Sequence, residues 1–223
     1  MNPFGSMIVN LNIKGKRIVV VGGGNEAEKR INSLLNQECH ITVISESTNM
    51  QIKKLYKAKK ITLKEQKIAD TEFISEMQPD LVITATDDKK INQKILNFAK
   101  KKKIVAYSSD NPEKSDFSNP AIIDIENIIQ IAIFTGGKSP AMSKKIKEKA
   151  ESALKKIITK EDIIQVEIQN RFRSIAKETI SDHEQRKQCL RSIMNDNQID
   201  QLIKDGQTKK AEERAITILR NWK

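Results

Sequence analysis

Residues 17–31, RIVVVGGGNEAEKRI, decide the fold. The stretch opens with an apolar, β-branched run, which three consecutive glycines, Gly22-Gly23-Gly24, follow directly. An amphipathic pattern comes next, so the stretch predicts a strand, a tight turn and a helix. The turn reads G-x-G-x-x-A over Gly22, Gly24 and Ala27, which is typical of the first βα unit of a dinucleotide-binding sheet.

Each residue type in this turn has a physical reason. Without a Cβ, Gly22 permits the tight change of direction from strand to helix, and Gly24 lets the backbone approach a pyrophosphate. The small Ala27 lets the helix pack close to the sheet. The first N–H groups of the helix lack intrahelical partners, and the positive end of the helix dipole attracts phosphate. The turn therefore predicts a dinucleotide site, with a turn that serves chain geometry alone as the alternative.

The acid that follows the second apolar run indicates which dinucleotide binds. The run HITVIS at 40–45 ends beside Glu46, about 20 residues after the turn. A carboxylate there accepts a hydrogen bond from the ribose 2′-hydroxyl of NAD and repels the 2′-phosphate of NADP. No Arg lies beside Glu46 in the sequence. The position therefore favours NAD, with a solvated loop acid as the alternative.

Strand and helix patterns alternate through the first 110 residues. This alternation predicts right-handed βαβ units and an α/β fold with a Rossmann-like parallel sheet. The predicted strands are 17–21, 40–45, 60–64, 80–86 and 103–108, and the predicted helices are 25–37, 47–58, 70–77 and 88–101. The loop after the fourth strand, with Thr86 and Asp87, would border the ligand crevice, and Asp87 or Asp88 could equally cap the next helix.

The remainder of the chain has a different pattern. The run NIIQIAIFT at 127–135 has no clear helix before it, so it predicts an antiparallel strand in a small module outside the main sheet. Residues 140–223 read as helical, with one break near Asp205-Gly206. The apolar faces of 140–158, 161–180 and 185–203 predict core packing, and a lid over a ligand is the functional alternative.

Composition bounds the function classes. Of 223 residues, 40 are Lys or Arg and 29 are Asp or Glu, a net charge of +11 that attracts anions unless it only solvates the surface. No apolar run is long enough to predict a membrane helix, and no signal peptide is indicated. Two separated cysteines and two histidines exclude a disulfide framework and the usual zinc motifs, so we expect no metal site and a cytoplasmic protein. Gly5-Ser6-Met7 resembles a cloning scar, so we do not expect residues 1–6 to belong to the fold.

Several motifs together resemble the precorrin-2 dehydrogenase family, the dehydrogenase/chelatase module of siroheme synthases. They are KGKRIVVVGGGNEAEKRINSLL (14–35), TVIS (42–45), ITATDDKKIN (83–92), SDNPEKSDFSNPAIID (109–124) and TGGKSPAMSKKIKEKAE (135–151). The resemblance covers residues 8–155 and implies oxidation of precorrin-2 to sirohydrochlorin with NAD⁺. It also implies a homodimer built of an NAD-binding domain at 7–112, a dimerisation region at 113–145 and an all-helical domain at 146–223.

The resemblance also assigns residues. It places Asn25 with Glu26, and Glu46 with Ser47, at nucleotide contacts, although many members have a Pro near position 46. Asp110 matches the active-site aspartate, and here Ser108-Ser109 stands where many members have an apolar pair. A carboxylate at a strand end suits a general base, although Asp-Asn-Pro is also a strong turn signature.

A second Gly-rich loop predicts a substrate contact. Gly136, Gly137 and Lys138 precede Ser139, which matches the serine of the family's second Gly-rich loop. Glycine amides and a helix N-terminus could bind a carboxylate of the tetrapyrrole. The alternative is an ordinary helix start, with Ser139 at the N-cap and Pro140 at the first helical position.

Other function classes stay open. A regulatory module that senses NAD without turnover is the first alternative. A nucleic-acid binder is the second, and we do not expect it because aromatic residues do not alternate with basic ones. Some family members also insert Fe²⁺ into sirohydrochlorin. The lone His183 is typical of a surface or core residue, so we expect dehydrogenase activity without efficient chelatase activity.

Overall fold

The first part of the chain forms a five-stranded parallel sheet. The computed structural model describes residues 7–222. The sheet has the order β3-β2-β1-β4-β5 with every neighbouring pair parallel. This confirms the predicted Rossmann-like α/β fold. The strands are β1 (Arg17–Val21), β2 (His40–Ser45), β3 (Thr62–Glu65), β4 (Leu81–Thr84) and β5 (Val105–Ser108).

Both faces of the sheet are apolar, and four helices cover them. Ile18 and Val20 of β1 belong to the core on one face, while Val19 and Val21 belong to the core on the other. The chain runs outward from β1 to β3 on one side and from β4 to β5 on the other, so a crevice opens between β1 and β4 at the carboxyl edge. The helices are α1 (Asn25–Leu34), α2 (Met50–Lys57), α3 (Glu72–Met77) and α4 (Lys89–Lys101).

The chain divides into two compact units between Asn119 and Pro120. The second unit begins with an antiparallel hairpin of β6 (Ala121–Ile125) and β7 (Ile129–Ile133), as the run at 127–135 predicted. The finer division at residues 112 and 145 stays a prediction.

Five helices follow the hairpin, and the prediction of a single break among them was wrong. Besides the turn near Gly206, the chain breaks at 158–159, 180–182 and 195–196, so the helix predicted at 185–203 is two helices. At each extra break the side chain of Thr159, Asp182 or Asp196 caps the next helix, which replaces hydrogen bonds that the backbone lacks there. The helices are α5 (Pro140–Ile157), α6 (Lys160–Thr179), α7 (His183–Met194), α8 (Asn197–Lys204) and α9 (Thr208–Arg220).

Core packing holds for α6 to α9 but not for α5. Ile168, Phe172 and Ile193 are fully buried among the last four helices. The apolar stripe of α5 is open instead, with Met142 46% and Ile157 69% exposed. The prediction of core packing for α5 was therefore wrong, because within its unit this helix packs mainly against the two-stranded hairpin. No helix among residues 7–222 is both long and apolar enough to span a bilayer.

Candidate nucleotide and catalytic site

The glycine turn after β1 is packed tightly on its protein side. A Cβ at Gly22 would collide with the backbone carbonyl of Ala85, and one at Gly23 would collide with that of Ser47. Gly22 also has a φ of 126°, which only glycine adopts without strain. These two glycines therefore let the turn lie against the loops that follow β2 and β4.

Gly24 has the opposite environment. Nothing lies within 4 Å of the position that a Cβ would take there, and Gly24 is exposed. Gly24 is the N-cap of α1, and no side chain caps the helix. The first N–H groups of α1 therefore open onto free space next to a residue without a side chain, which suits a diphosphate.

The first turn of α1 carries an acid, Glu26, whose charge is compensated. Glu26 forms ion pairs with Arg30 and Lys29, and Arg30 lies over the Tyr107 ring at 5.0 Å. Partial burial would raise the pKa of Glu26, but the neighbouring Arg30 and Lys29 charges outweigh it and lower this pKa. The Glu26 carboxylate is thus engaged along its own helix, and its predicted contact with the nucleotide stays a prediction.

An asparagine that sequence reasoning missed joins this turn to the loop after β2. The amide of Asn49 donates to Glu28 at 2.6 Å and to Asn25 at 3.4 Å, and its backbone N–H donates to the Gly23 carbonyl. The predicted contact Asn25 is therefore held from the β2 side. The only local signal for Asn49 was its suitability as an N-cap, the position it takes in α2.

A cleft of about 190 Å³ lies at the carboxyl edge of the sheet. It brings together the predicted residues Gly22, Glu46 and Thr86, and Asp88 lines it where Asp87 was predicted. Asp88 also caps α4, whereas Ser47 and Asp87 are exposed beside the cleft. Contacts of Ser47 and Asp87 with a nucleotide stay predictions. The full lining is Val21, Gly22, Ile44, Ser45, Glu46, Gln66, Lys67, Ile68, Thr86, Asp88 and Ile91.

Lys67 in this lining is a second residue that the sequence did not indicate. It follows β3, and the parallel pairing of β2 with β3 brings the residues after both strands to the same edge. The cleft therefore holds a cation as well as the Glu46 carboxylate. Lys67 would attract a ribose 2′-phosphate, whereas Glu46 would repel it.

Asp110 is held by a hydrogen-bond network at the ends of β4 and β5. Its Oδ1 accepts from the Asn92 amide at 2.9 Å and from the Ser108 hydroxyl at 2.6 Å. Asn92 in turn donates to the Thr86 carbonyl at 2.9 Å and accepts from the Thr86 hydroxyl at 2.7 Å. Asn92 and Ser108 are each 1% exposed, while Asp110 itself is exposed. The network thus joins the exposed Asp110 carboxylate to Thr86, which lines the nucleotide cleft.

The hydroxyl groups of the network are oriented toward Asp110. Thr84 and Ser108 are register partners on β4 and β5, and their oxygens lie 2.7 Å apart. Because Ser108 donates its proton to Asp110, the proton between the two hydroxyls comes from Thr84. Successive donors that point to one oxygen polarise each other and fix the rotation of the carboxyl group.

The second Gly-rich loop lies in the second unit. Gly136 and Gly137 have φ values of 66° and 75°, and Ser139 caps α5 by accepting from the Met142 N–H at 3.2 Å. The capping geometry does not test whether Gly136, Gly137, Lys138 and Ser139 also bind an anion, so this stays a prediction. Among residues 7–222 no group of three His, Cys, Asp or Glu side chains is placed to hold a metal ion.

Comparisons with known proteins agree with this architecture. The chain is 28% identical over 203 residues to a siroheme synthase of Actinobacillus succinogenes, which covers 90% of this chain and 40% of that protein. It is 33% identical over 158 residues to the siroheme biosynthesis protein met8 of Schizosaccharomyces pombe, covering 69% of this chain and 58% of that one. The chain thus spans less than two thirds of the length of these relatives.

A solved structure and a family model complete the comparison. The structure titled SirC, precorrin-2 dehydrogenase, has a TM-score of 0.70 at 20% identity and covers 95% of this chain and 100% of its own, which shows the shared fold. A family model described as "Putative NAD(P)-binding" matches residues 9–121, just over half of the 223 residues. The chain therefore belongs to this NAD(P)-binding family.

Proposed function

We propose that this protein is a precorrin-2 dehydrogenase, which oxidises precorrin-2 to sirohydrochlorin with NAD⁺ in siroheme biosynthesis. The observation that carries the proposal is the link between Asp110 and the nucleotide cleft, through Asn92 and Thr86. A positioned carboxylate next to a dinucleotide cleft suits a reaction that removes a hydride and a proton from one substrate. The relatives named for siroheme synthesis, with the resemblance of residues 8–155, supply the substrate class.

The glycine turn, the N-terminus of α1 and Glu46 are the groups that would hold NAD⁺. The diphosphate suits the open space at Gly24, and the ribose hydroxyls suit Glu46 on the wall of the cleft. Bound NAD⁺ supplies the acceptor for the hydride. Lys67 on the same wall weakens the preference for NAD over NADP that Glu46 creates.

Asp110 would take the proton that leaves the tetrapyrrole. Its Oδ1 already accepts two hydrogen bonds, so the proton goes to Oδ2. The oxidation then balances, because the substrate loses two electrons with the hydride and one proton to the carboxylate. Ser108 and Asn92 act as positioning residues, since they fix the rotation of the carboxyl group without touching the substrate.

Partners of this activity follow from charge and exposure. The acetate and propionate groups of precorrin-2 suit the excess of cations, and the loop from Gly136 to Ser139 is the proposed anchor for one of them. The exposed stripe on α5, with Met142 and Ile146, supports a homodimer because such stripes are usually covered. We place the reaction in the cytoplasm, without a nucleic-acid or membrane partner.

Iron insertion is a separate activity in which Fe²⁺ is a substrate. Asp110 could accept pyrrole protons in that reaction as well. We propose that the protein does not catalyse it efficiently, because the lone His183 is typical of a surface or core residue. Anaerobic incubation with sirohydrochlorin and Fe²⁺ would reveal siroheme if this view is wrong.

The test is an anaerobic assay with precorrin-2 and NAD⁺, in which NADH and the sirohydrochlorin spectrum are recorded together. Asp110→Asn should lower kcat by about 10²- to 10⁴-fold and leave the Kd for NAD⁺ unchanged, because a general base contributes about that much. Glu113→Gln is the matched control, because Glu113 is an exposed acid three residues away. Turnover of Asp110→Asn within about threefold of wild type would refute the role of base. NAD⁺ binding without any turnover by the wild type would favour the regulatory alternative.

A further inference from the structure

The outer face of the α6–α7 hairpin contains a groove of about 800 Å³. Cavities that bind small molecules usually have volumes of about 300 to 1,000 Å³, so the groove is large enough for a ligand. It lies opposite the core of the helical unit, because Phe172 and Ile193 face that core while other positions of the same helices line the groove.

Five cationic side chains line the groove at helical spacing. Arg173 and Lys177 of α6 stand four residues apart, as do Lys187 and Arg191 of α7, so each pair shares one helix face. Of the described residues that line the groove, none is acidic and none is Phe, Tyr or Trp. The cations are Arg173, Lys177, Arg186, Lys187 and Arg191.

Three of these cations have no acidic partner. Among residues 7–222, Arg173, Lys177 and Arg191 form no ion pair, and all three are exposed. Lys187 pairs only weakly with Glu184 at 3.6 Å. Arg186 is held by the carbonyl groups at the end of α6, at 2.7 and 2.8 Å. The groove therefore presents uncompensated positive charge around one immobilised guanidinium group.

The end of the groove near Arg191 also carries apolar side chains, Val166 and Met194. The amide of Gln165 donates to the Met194 carbonyl, and that of Gln169 donates to the Leu190 carbonyl, so the two helices run antiparallel in a defined register. This register places the exposed Val166 level with Met194, while Arg173 and Lys177 lie toward the start of α7. Eleven residues of helix separate Val166 from Lys177, which is about 16 Å at about 1.5 Å per residue.

We propose that the α6–α7 groove binds a polycarboxylate with an apolar body, the chemistry of an acidic tetrapyrrole. Carboxylates would pair with the cations along the groove, and the ring would cover Val166 and Met194. The identity of the ligand rests on the proposed function, which requires such a molecule. Single-stranded nucleic acid suits the groove less well, because its bases bind by stacking on aromatic side chains and the described lining has no Phe, Tyr or Trp, with His183 as its one aromatic ring.

The test measures binding of uroporphyrin, a stable porphyrin with acetate and propionate groups, to the full chain by equilibrium dialysis at about 150 mM salt. A triple variant, Arg173→Gln with Lys177→Gln and Arg191→Gln, should weaken binding by at least about tenfold, since each lost ion pair contributes modestly. Its matched control removes three exposed cations elsewhere in the same unit, Lys204→Gln with Lys209→Gln and Lys210→Gln, and should change binding by less than about threefold.

Other outcomes would overturn the proposal. Equal affinity of the groove variant and wild type would show that the porphyrin binds elsewhere, and absence of wild-type binding would show that the groove takes no such ligand. A groove variant that loses affinity for a single-stranded oligonucleotide but not for uroporphyrin would make the groove a nucleic-acid surface. Lys177→Glu provides a second, single variant at an exposed position, with a larger expected loss than Lys177→Gln. Porphyrin binding that depends on the groove, without oxidation of precorrin-2, would refute the proposed function and leave the groove intact.

Discussion

Gly24→Ala should separate nucleotide binding from folding. At Gly24 the backbone φ is −88°, which alanine adopts without strain, and nothing lies within 4 Å of the new Cβ. Alanine is a poorer N-cap than glycine, but it reduces the entropy of the unfolded chain by about 0.4 to 1 kcal/mol. The two effects offset each other, so we expect the free energy of unfolding to change by less than about 1 kcal/mol.

The effect on the nucleotide should be much larger. The new methyl group occupies the open space in front of the first N–H groups of α1, where a diphosphate would lie. Loss of one hydrogen bond to a charged group amounts to about 1.5 to 3 kcal/mol, which is about ten- to hundredfold in Kd. Calorimetric titration with NAD⁺ measures this change, and thermal unfolding without ligand checks the fold.

Gly23→Ala is the contrasting variant. Its Cβ would overlap the Ser47 backbone carbonyl, so this variant should lose stability rather than only affinity. If Gly24→Ala binds NAD⁺ as tightly as wild type, the diphosphate does not lie at this turn and the reasoning fails. If Gly24→Ala unfolds like Gly23→Ala, the open space at Gly24 is not a property of the protein in solution.

Three further variants test other parts of the account. Glu46→Gln should lower the ratio of NAD⁺ affinity to NADP⁺ affinity by at least about tenfold, because the Glu46 carboxylate that repels a 2′-phosphate is lost while Lys67 stays. An unchanged ratio in paired titrations would exclude Glu46 from the ribose site. Asn92→Leu should lower kcat more than about tenfold, because the Asp110 carboxylate loses a hydrogen-bond donor. It should also lower the free energy of unfolding by about 1 to 3 kcal/mol, because the Thr86 carbonyl loses its donor. Turnover equal to wild type would contradict the positioning role. Asp196→Ala should lower the free energy of unfolding by about 1 to 2 kcal/mol at neutral pH, because Asp196 caps α8 and pairs with Arg214. Burial alone would raise the pKa of Asp196, but the hydrogen bonds from Arg214 and the backbone outweigh burial and lower this pKa. The difference in unfolding free energy between variant and wild type should therefore shrink as pH falls through the lowered pKa. A difference that stays constant in denaturation curves down to about pH 3 would refute this pH dependence.

The glycine turn could be predicted because its determinants are local. Gly22, Gly24 and Ala27 each meet a steric requirement of a strand-turn-helix unit, and these requirements appear within six residues of sequence. The alternation of strands and helices then predicted the parallel sheet. The observed helix ends differ from the predicted ones by a few residues where capping residues set the ends. The break at Asp196 was missed because the apolar periodicity continues across it.

The environment of Asp110 could not be predicted from the same patterns. Ser108 meets Thr84 because β4 and β5 pair in register, and sequence periodicity does not reveal the register of parallel strands. Lys67 reaches the cleft for a similar reason, since it depends on where β3 ends beside β2. Local chemistry thus indicated the nucleotide site, while long-range pairing decided which side chains surround the proposed base.

The most direct test of the central claim follows the hydrogen itself. Precorrin-2 that carries deuterium on the ring carbon to be oxidised is incubated anaerobically with the protein and unlabelled NAD⁺, and the dinucleotide product is examined by mass spectrometry. The account predicts one deuterium in each NADH formed, in step with sirohydrochlorin. Sirohydrochlorin that appears with unlabelled NADH, or without NADH, would contradict it.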